Sequence, residues 1–130
     1  MARLASCRIG VLGTVDPIRG AHLVPVVFAI DGDRLAIPID TIKSKASLRL
    51  RRTSNLEADP RASLLVDGRS DDWEALWWVR ADLTFVGEDD PAMWRDVLAD
   101  RYPAYATDAA VHTVLAFSID GLAGWSATDR

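Results

Sequence analysis

With a single cysteine, Cys7, the chain can form no internal disulfide, which suits a reducing cytoplasm. Its two histidines, His22 and His112, have no neighbouring ligands at metal-site spacing, so no metal is expected. Long apolar runs are missing, and none approaches the roughly 20 residues that span a bilayer. The opening residues, Met1 to Arg8, are too short and too broken for a signal peptide, so a cytoplasmic protein is expected. The sequence has no GxGxxG, P-loop, GxSxG, HExxH or CxxC pattern. Strict βαβ alternation is also absent, which argues against a Rossmann domain, while the missing motifs leave no hydrolase, zinc or dithiol constellation. A formal net charge of -4 argues against indiscriminate nucleic-acid binding.

What is present fits one domain over residues 1–130, with 49% hydrophobic and 26% charged residues. Arg8 to Val15 reads as a strand with Ile9, Val11 and Val15 on one face. His22 to Ile30 is a long β-type run, and Asp31-Gly32-Asp33 is its hairpin turn. Arg34 to Asp40 is the return strand. Thr41 to Leu56 has helical character, and Asp59-Pro60 ends it. Arg61 to Asp67 alternates as a strand with Ala62, Leu64 and Val66 on one side. Leu76 to Gly87 reads as the longest strand, with Arg80, Asp82 and Thr84 giving it one polar face. Asp90-Pro91 caps a second helix, which Pro103 stops. His112 to Ile119 is the last strand, and Gly121 and Gly124 are expected to turn the tail toward Trp125. Roughly six antiparallel strands and two helices predict a mainly β fold, a β-barrel with flanking helices.

Three features point to chemistry. The first is a cationic stretch on an acidic chain: Lys43, Ser44 and Lys45, then Arg49, Arg51 and Arg52. Lysine and arginine pair with phosphate oxygens by charge-assisted hydrogen bonds, although a solvated helix face has the same composition. The second is a pair of strands that each carry a proline, Pro25 and Pro38. Proline lacks the N–H donor and marks a sheet edge, a bulge or a place where something approaches the backbone. A flat ring could lie there, and an ordinary edge hairpin would look alike. The third is Trp73, Trp77 and Trp78, residues suited to an interface, a cofactor or the core.

Taken in order, Leu12-Gly-Thr-Val-Asp16, His22-Leu-Val-Pro-Val-Val-Phe-Ala-Ile-Asp-Gly-Asp33, Lys43-Ser-Lys45, Arg51-Arg52, Asn55-Leu-Glu-Ala-Asp-Pro60, Ala62-Ser-Leu-Leu-Val-Asp67 and Trp77-Trp-Val-Arg-Ala-Asp82 resemble the pyridoxamine-phosphate-oxidase-like split-barrel family. The nearest likeness is to its actinobacterial branch that uses the deazaflavin coenzyme F420. The resemblance implies an FMN-binding-type split barrel acting as a homodimer, with cofactor sites between the subunits. It implies that Leu23, Val24, Pro25 and Val26 face the ring. Ile39, Asp40, Lys43, Ser44 and Lys45 would approach ring and phosphate, with Arg49 nearby. Trp77 and Trp78, with Trp125, would come from the partner subunit. The expected activity is hydride transfer between F420 and a small unsaturated substrate, with FMN as the alternative cofactor. Binding of flavin, F420 or haem without turnover is the remaining alternative. The lysines and arginines that hold pyridoxal phosphate in true pyridoxamine-phosphate oxidases are not evident, and no helix is expected before the first strand.

Overall fold

A two-residue link forces this sheet to roll up. The computed structural model describes residues 1–40, 51–106 and 111–128. Its strands are β1 (Gly10–Asp16), β2 (Gly20–Val26), β3 (Ala29–Asp31), β4 (Arg34–Asp40), β5 (Arg61–Gly68), β6 (Trp77–Asp89) and β7 (Val111–Ser126). They form one antiparallel sheet in the order β2-β1-β5-β6-β7-β4-β3. Laid flat, seven strands would hold β2 and β3 about 29 Å apart. Only Val27 and Phe28 separate them in the chain, and that link reaches at most about 11 Å. The sheet therefore curls until its two ends meet, as a split barrel.

Alternation along the strands fills the inside. Leu12, Leu64, Val66, Ala81, Leu83, Leu115 and Phe117 join Phe28, Leu35 and Ile37 in the buried core. A short helix, α1 (Ala2–Ser6), precedes β1. This corrects the expectation of no helix there: Leu4 is fully buried in the core, so the segment is held by packing rather than by helix propensity. Helix α2 (Arg51–Ala58) contributes Leu56 to the same core. Helix α3 (Arg95–Arg101) covers the outside of β3, β4 and β7. There Trp94 and Leu98 pack on Ala29, Ala36 and Val114, and the small alanines let the helix approach closely. As expected, Asp90 caps this region, accepting from Ala92 N at 2.9 Å. The first turn, Pro91–Trp94, is 3₁₀ rather than α.

Other details differ from the sequence reading. The run 22–30 is two strands, because the chain bends at Val27-Phe28 to change partner from β1 to β4. Pro25 and Pro38 do not face each other: Pro25 is registered with Val11 and Pro38 with Val114. Gly121 and Gly124 make no turn. They lie inside β7, which pairs with β6 as far as Trp77↔Ser126 and, at 16 residues, is longer than β6.

Candidate functional site

The barrel is open along one seam. Among the described residues, β2 ends the sheet and pairs only with β1. β3 covers β4 only from Arg34 to Ala36, so Ile37–Asp40 has no strand on that side among the described residues. Both open edges start from the Val27-Phe28 corner, and each carries a proline. An edge is where a missing N–H costs no ladder bond. Leu23, Val24, Pro25 and Val26 thus lie on one edge of the seam, and Ile39 and Asp40 on the other. Their side chains diverge. Val26 is buried, and Val24 and Ile39 pack against the core. Leu23 is 69% exposed on the outer face.

That outer face is the second element of the site. The register places Pro25, Val11, Leu65, Arg80 and Ala123 in one cross-strand row, and Leu23, Gly13, Ser63, Asp82 and Gly121 in the next. Trp78 stands opposite Trp125 at one end. A groove of about 670 Å³ runs over this face, bordered by Leu23, Leu65, Trp77, Trp78 and Trp125. Its charges are internally paired: Arg80 with Asp82 at 2.9 Å and Arg69 with Asp67 at 3.0 Å. The surface is therefore mostly apolar, and α3 covers only the opposite flank. Trp73, in a 3₁₀ turn capped by Asp72, is the most exposed of these tryptophans.

The third element is polar and lies on the inner side of β1. Thr14, Asp16 and Asn55 are buried there. The Asp16 carboxylate accepts from Ile18 N at 2.9 Å and Arg19 N at 3.2 Å, and Arg51 approaches it to 3.6 Å. These two backbone donors, then Arg51 and His22, hold its pKa below the usual carboxylate value. His22, on β2, sits opposite Thr14 of β1, and its buried Nδ1 has no hydrogen-bond partner among the described residues. Arg52 is half-buried on the same turn of α2. The His22 imidazole and the Arg51 guanidinium, both close to Asp16, are groups suited to an anion such as a phosphate.

Lys43, Ser44, Lys45 and Arg49 lie outside the described residues, as does the side chain of Asp40. The structure brings Leu23, Trp77 and Trp78 to one groove, and it turns Val24 and Val26 away from that groove. The polar corner, its arginines apart, lies outside the three features that the sequence singles out. The signal was available in the alternation of Thr14 and Asp16 with apolar residues, followed by His22.

Comparison with known proteins agrees with this architecture. The sequence model for pyridoxamine 5'-phosphate oxidase matches residues 1–125. No curated protein matches the chain. Among solved structures, one described as an F420 reductase superposes with a TM-score of 0.68 at 18% identity, covering 94% of each chain. A FAD-binding protein from Mesorhizobium loti has a TM-score of 0.65 at 18% identity, covering 93% of this chain and 85% of that one. The haem storage protein HutZ from Vibrio cholerae has a TM-score of 0.62 at 18% identity, covering 91% and 86%. At such identities these likenesses speak for the fold.

Proposed function

We propose, from the premise that this chain belongs to the pyridoxamine 5'-phosphate oxidase family, that it binds a phosphorylated flavin-type ring and works as an oxidoreductase. The favoured ring is the deazaflavin F420, with FMN as the alternative. The substrate is a small, planar, unsaturated organic molecule. The observation that carries this reading is the open seam: two strand edges that have no neighbour among the described residues and begin at one corner, with β2 leading back to His22 and Arg51 around Asp16. The residues fit such a group. Backbone groups that face the seam along Leu23 to Val26 and at Ile39 and Asp40 can read the polar rim of a flat ring. Arg51 and Arg52 supply charge for its phosphate, and Lys43, Ser44, Lys45 and Arg49 precede them in the chain.

When bound, the ring supplies the hydride chemistry. The chain's task is to hold the ring, exclude water and orient the substrate. The apolar outer face around Leu23, Leu65 and Trp125 is the seat of a second copy of this chain, so the working unit is a homodimer. In that dimer Trp77, Trp78 and Trp125 of one subunit close the site of the other.

Reconstitution tests the reading. The purified protein is mixed separately with F420, FMN and haem, passed through a desalting column, and read by absorption. Retention of the deazaflavin or flavin band supports the proposal, and retention of haem alone, or of nothing, overturns it. Turnover of the retained cofactor in its reduced form then separates an enzyme from a carrier.

A further inference from the structure

Helix α2 is keyed to β1 by two polar rungs. Asn55 Nδ2 donates to Thr14 Oγ1 at 3.1 Å, both side chains being buried. Arg51 reaches Asp16 at 3.6 Å. Thr14 and Asp16 are two apart on a strand, hence about 6.6 Å apart on one face. Asn55 and Arg51 are four apart on a helix, hence about 6.0 Å apart along one face. The two spacings match, so fixing one rung fixes the reach of the other. Only the first rung is fully sheltered: Asp16 is buried, while the Arg51 side chain is 61% exposed.

We infer that Asn55 is a positioning residue: its buried hydrogen bond to Thr14 sets the height of α2 on β1 and thereby aims Arg51 at a ligand phosphate. The inference rests on the reading of Arg51 as a phosphate contact. A long arginine left to itself samples many rotamers, and ordering it on binding costs affinity. Asp16 draws the guanidinium to one side of the helix, and the Asn55–Thr14 rung holds the helix so that this can happen. An exposed guanidinium already held at its base keeps its outer N–H donors for a phosphate. Asn55 itself touches no ligand.

The test compares two ligands that differ only in the phosphate: FMN is set against riboflavin by fluorescence titration. Arg51→Ala should reduce the preference for the phosphorylated member about tenfold, as expected for one charge-assisted contact. Thr14→Val and Asn55→Leu should each reduce it about three- to tenfold, while Thr14→Ser, which keeps the hydroxyl, should retain it. The double variant Thr14→Val with Asn55→Leu removes both polar partners and so should recover melting temperature relative to the single variants. It should not recover the preference. A purely structural rung would lower melting temperature and leave the preference untouched. That result, with Arg51→Ala still effective, overturns the role of Asn55 and spares the phosphate reading. If the wild type shows no preference, or Arg51→Ala does not change it, the phosphate reading falls and this inference falls with it.

Discussion

Trp77 lies flat against Gly68. The two residues are registered opposite each other in β6 and β5. A Cβ at position 68 would stand 2.0 Å from the indole Nε1 and 2.6 Å from two ring carbons. The ring cannot simply retreat, because it packs on the barrel core and Arg3 stacks over it at 5.0 Å. Gly68→Ala should therefore destabilise the protein by about 1–3 kcal/mol through overpacking. The lower urea midpoint should be accompanied by a shift in tryptophan emission. An unchanged midpoint would show that the ring has room to move.

Tyr102 closes the corner where the chain changes partner. Its hydroxyl accepts from Phe28 N at 3.2 Å and shares its proton between the carbonyls of Arg8, at 2.7 Å, and Phe28, at 2.8 Å. Continuing the β1–β2 register beyond Gly10↔Val26 would bring Arg8 opposite Phe28. One side-chain oxygen thus stands in for the next rung of the ladder. Arg101 holds the neighbouring carbonyls of Ala5 and Cys7. Tyr102→Phe should leave these backbone groups short of partners and cost about 1–3 kcal/mol. Faster amide exchange at Phe28 than in the wild type would report the same loss locally.

Much of the barrel was legible because alternation is a local signal. Ala62, Leu64 and Val66 read as one face of a strand and are buried together. Asp90-Pro91 read as a start signal, and the Asp90 side chain does cap a turn. The N-terminal helix was not legible: five residues carry little periodicity, and only the tertiary burial of Leu4 makes them a helix. The division of 22–30 into two strands was hidden for a related reason, since the bend answers to the closure of the barrel rather than to a turn residue. At the site, Pro25 and Pro38 correctly marked edges. Sequence could not say that those edges belong to different ends of the sheet. The face of Ile9, Val11 and Val15 read as apolar, yet it points outward, and the inward face of β1 carries Thr14 and Asp16.

Acid should weaken the fold through carboxylates held by native donors. Asp59 accepts from Arg61, chiefly through its guanidinium and also through its backbone N–H, and its pKa is lowered from 3.8 to about 2. A carboxyl with a depressed folded pKa stabilises the native state above its unfolded value. That contribution fades as pH falls from about 4 to about 2. Asp16 is shifted in the same direction by the backbone amides of Ile18 and Arg19. Asp59→Asn should flatten the dependence of stability on pH in this range, and Asp16→Asn should flatten it below the ordinary carboxylate value of 3.8, each leaving the slope above pH 5 unchanged. Urea melts at several pH values measure the effect, and unaltered slopes in both variants would exclude it.

Leu23 offers the sharpest test of the outward face. It is exposed and leans over Gly13, where an added Cβ would meet its Cδ2 at 3.2 Å. Leu65, in the neighbouring row, and Trp125 are also substantially exposed. Apolar groups crowded on one face of a sheet gain by burial against a like face, at roughly 25 cal/mol per Å² removed from water. A carboxylate at the centre of such a contact has no partner and resists desolvation. Leu23→Asp should therefore keep the folded monomer, since position 23 lies outside the core, while weakening self-association by about thirtyfold or more. Analytical ultracentrifugation of wild type and variant reads this directly. A wild type that sediments as a monomer at micromolar concentration would remove the second copy from the site and leave Trp77, Trp78 and Trp125 to serve their own subunit.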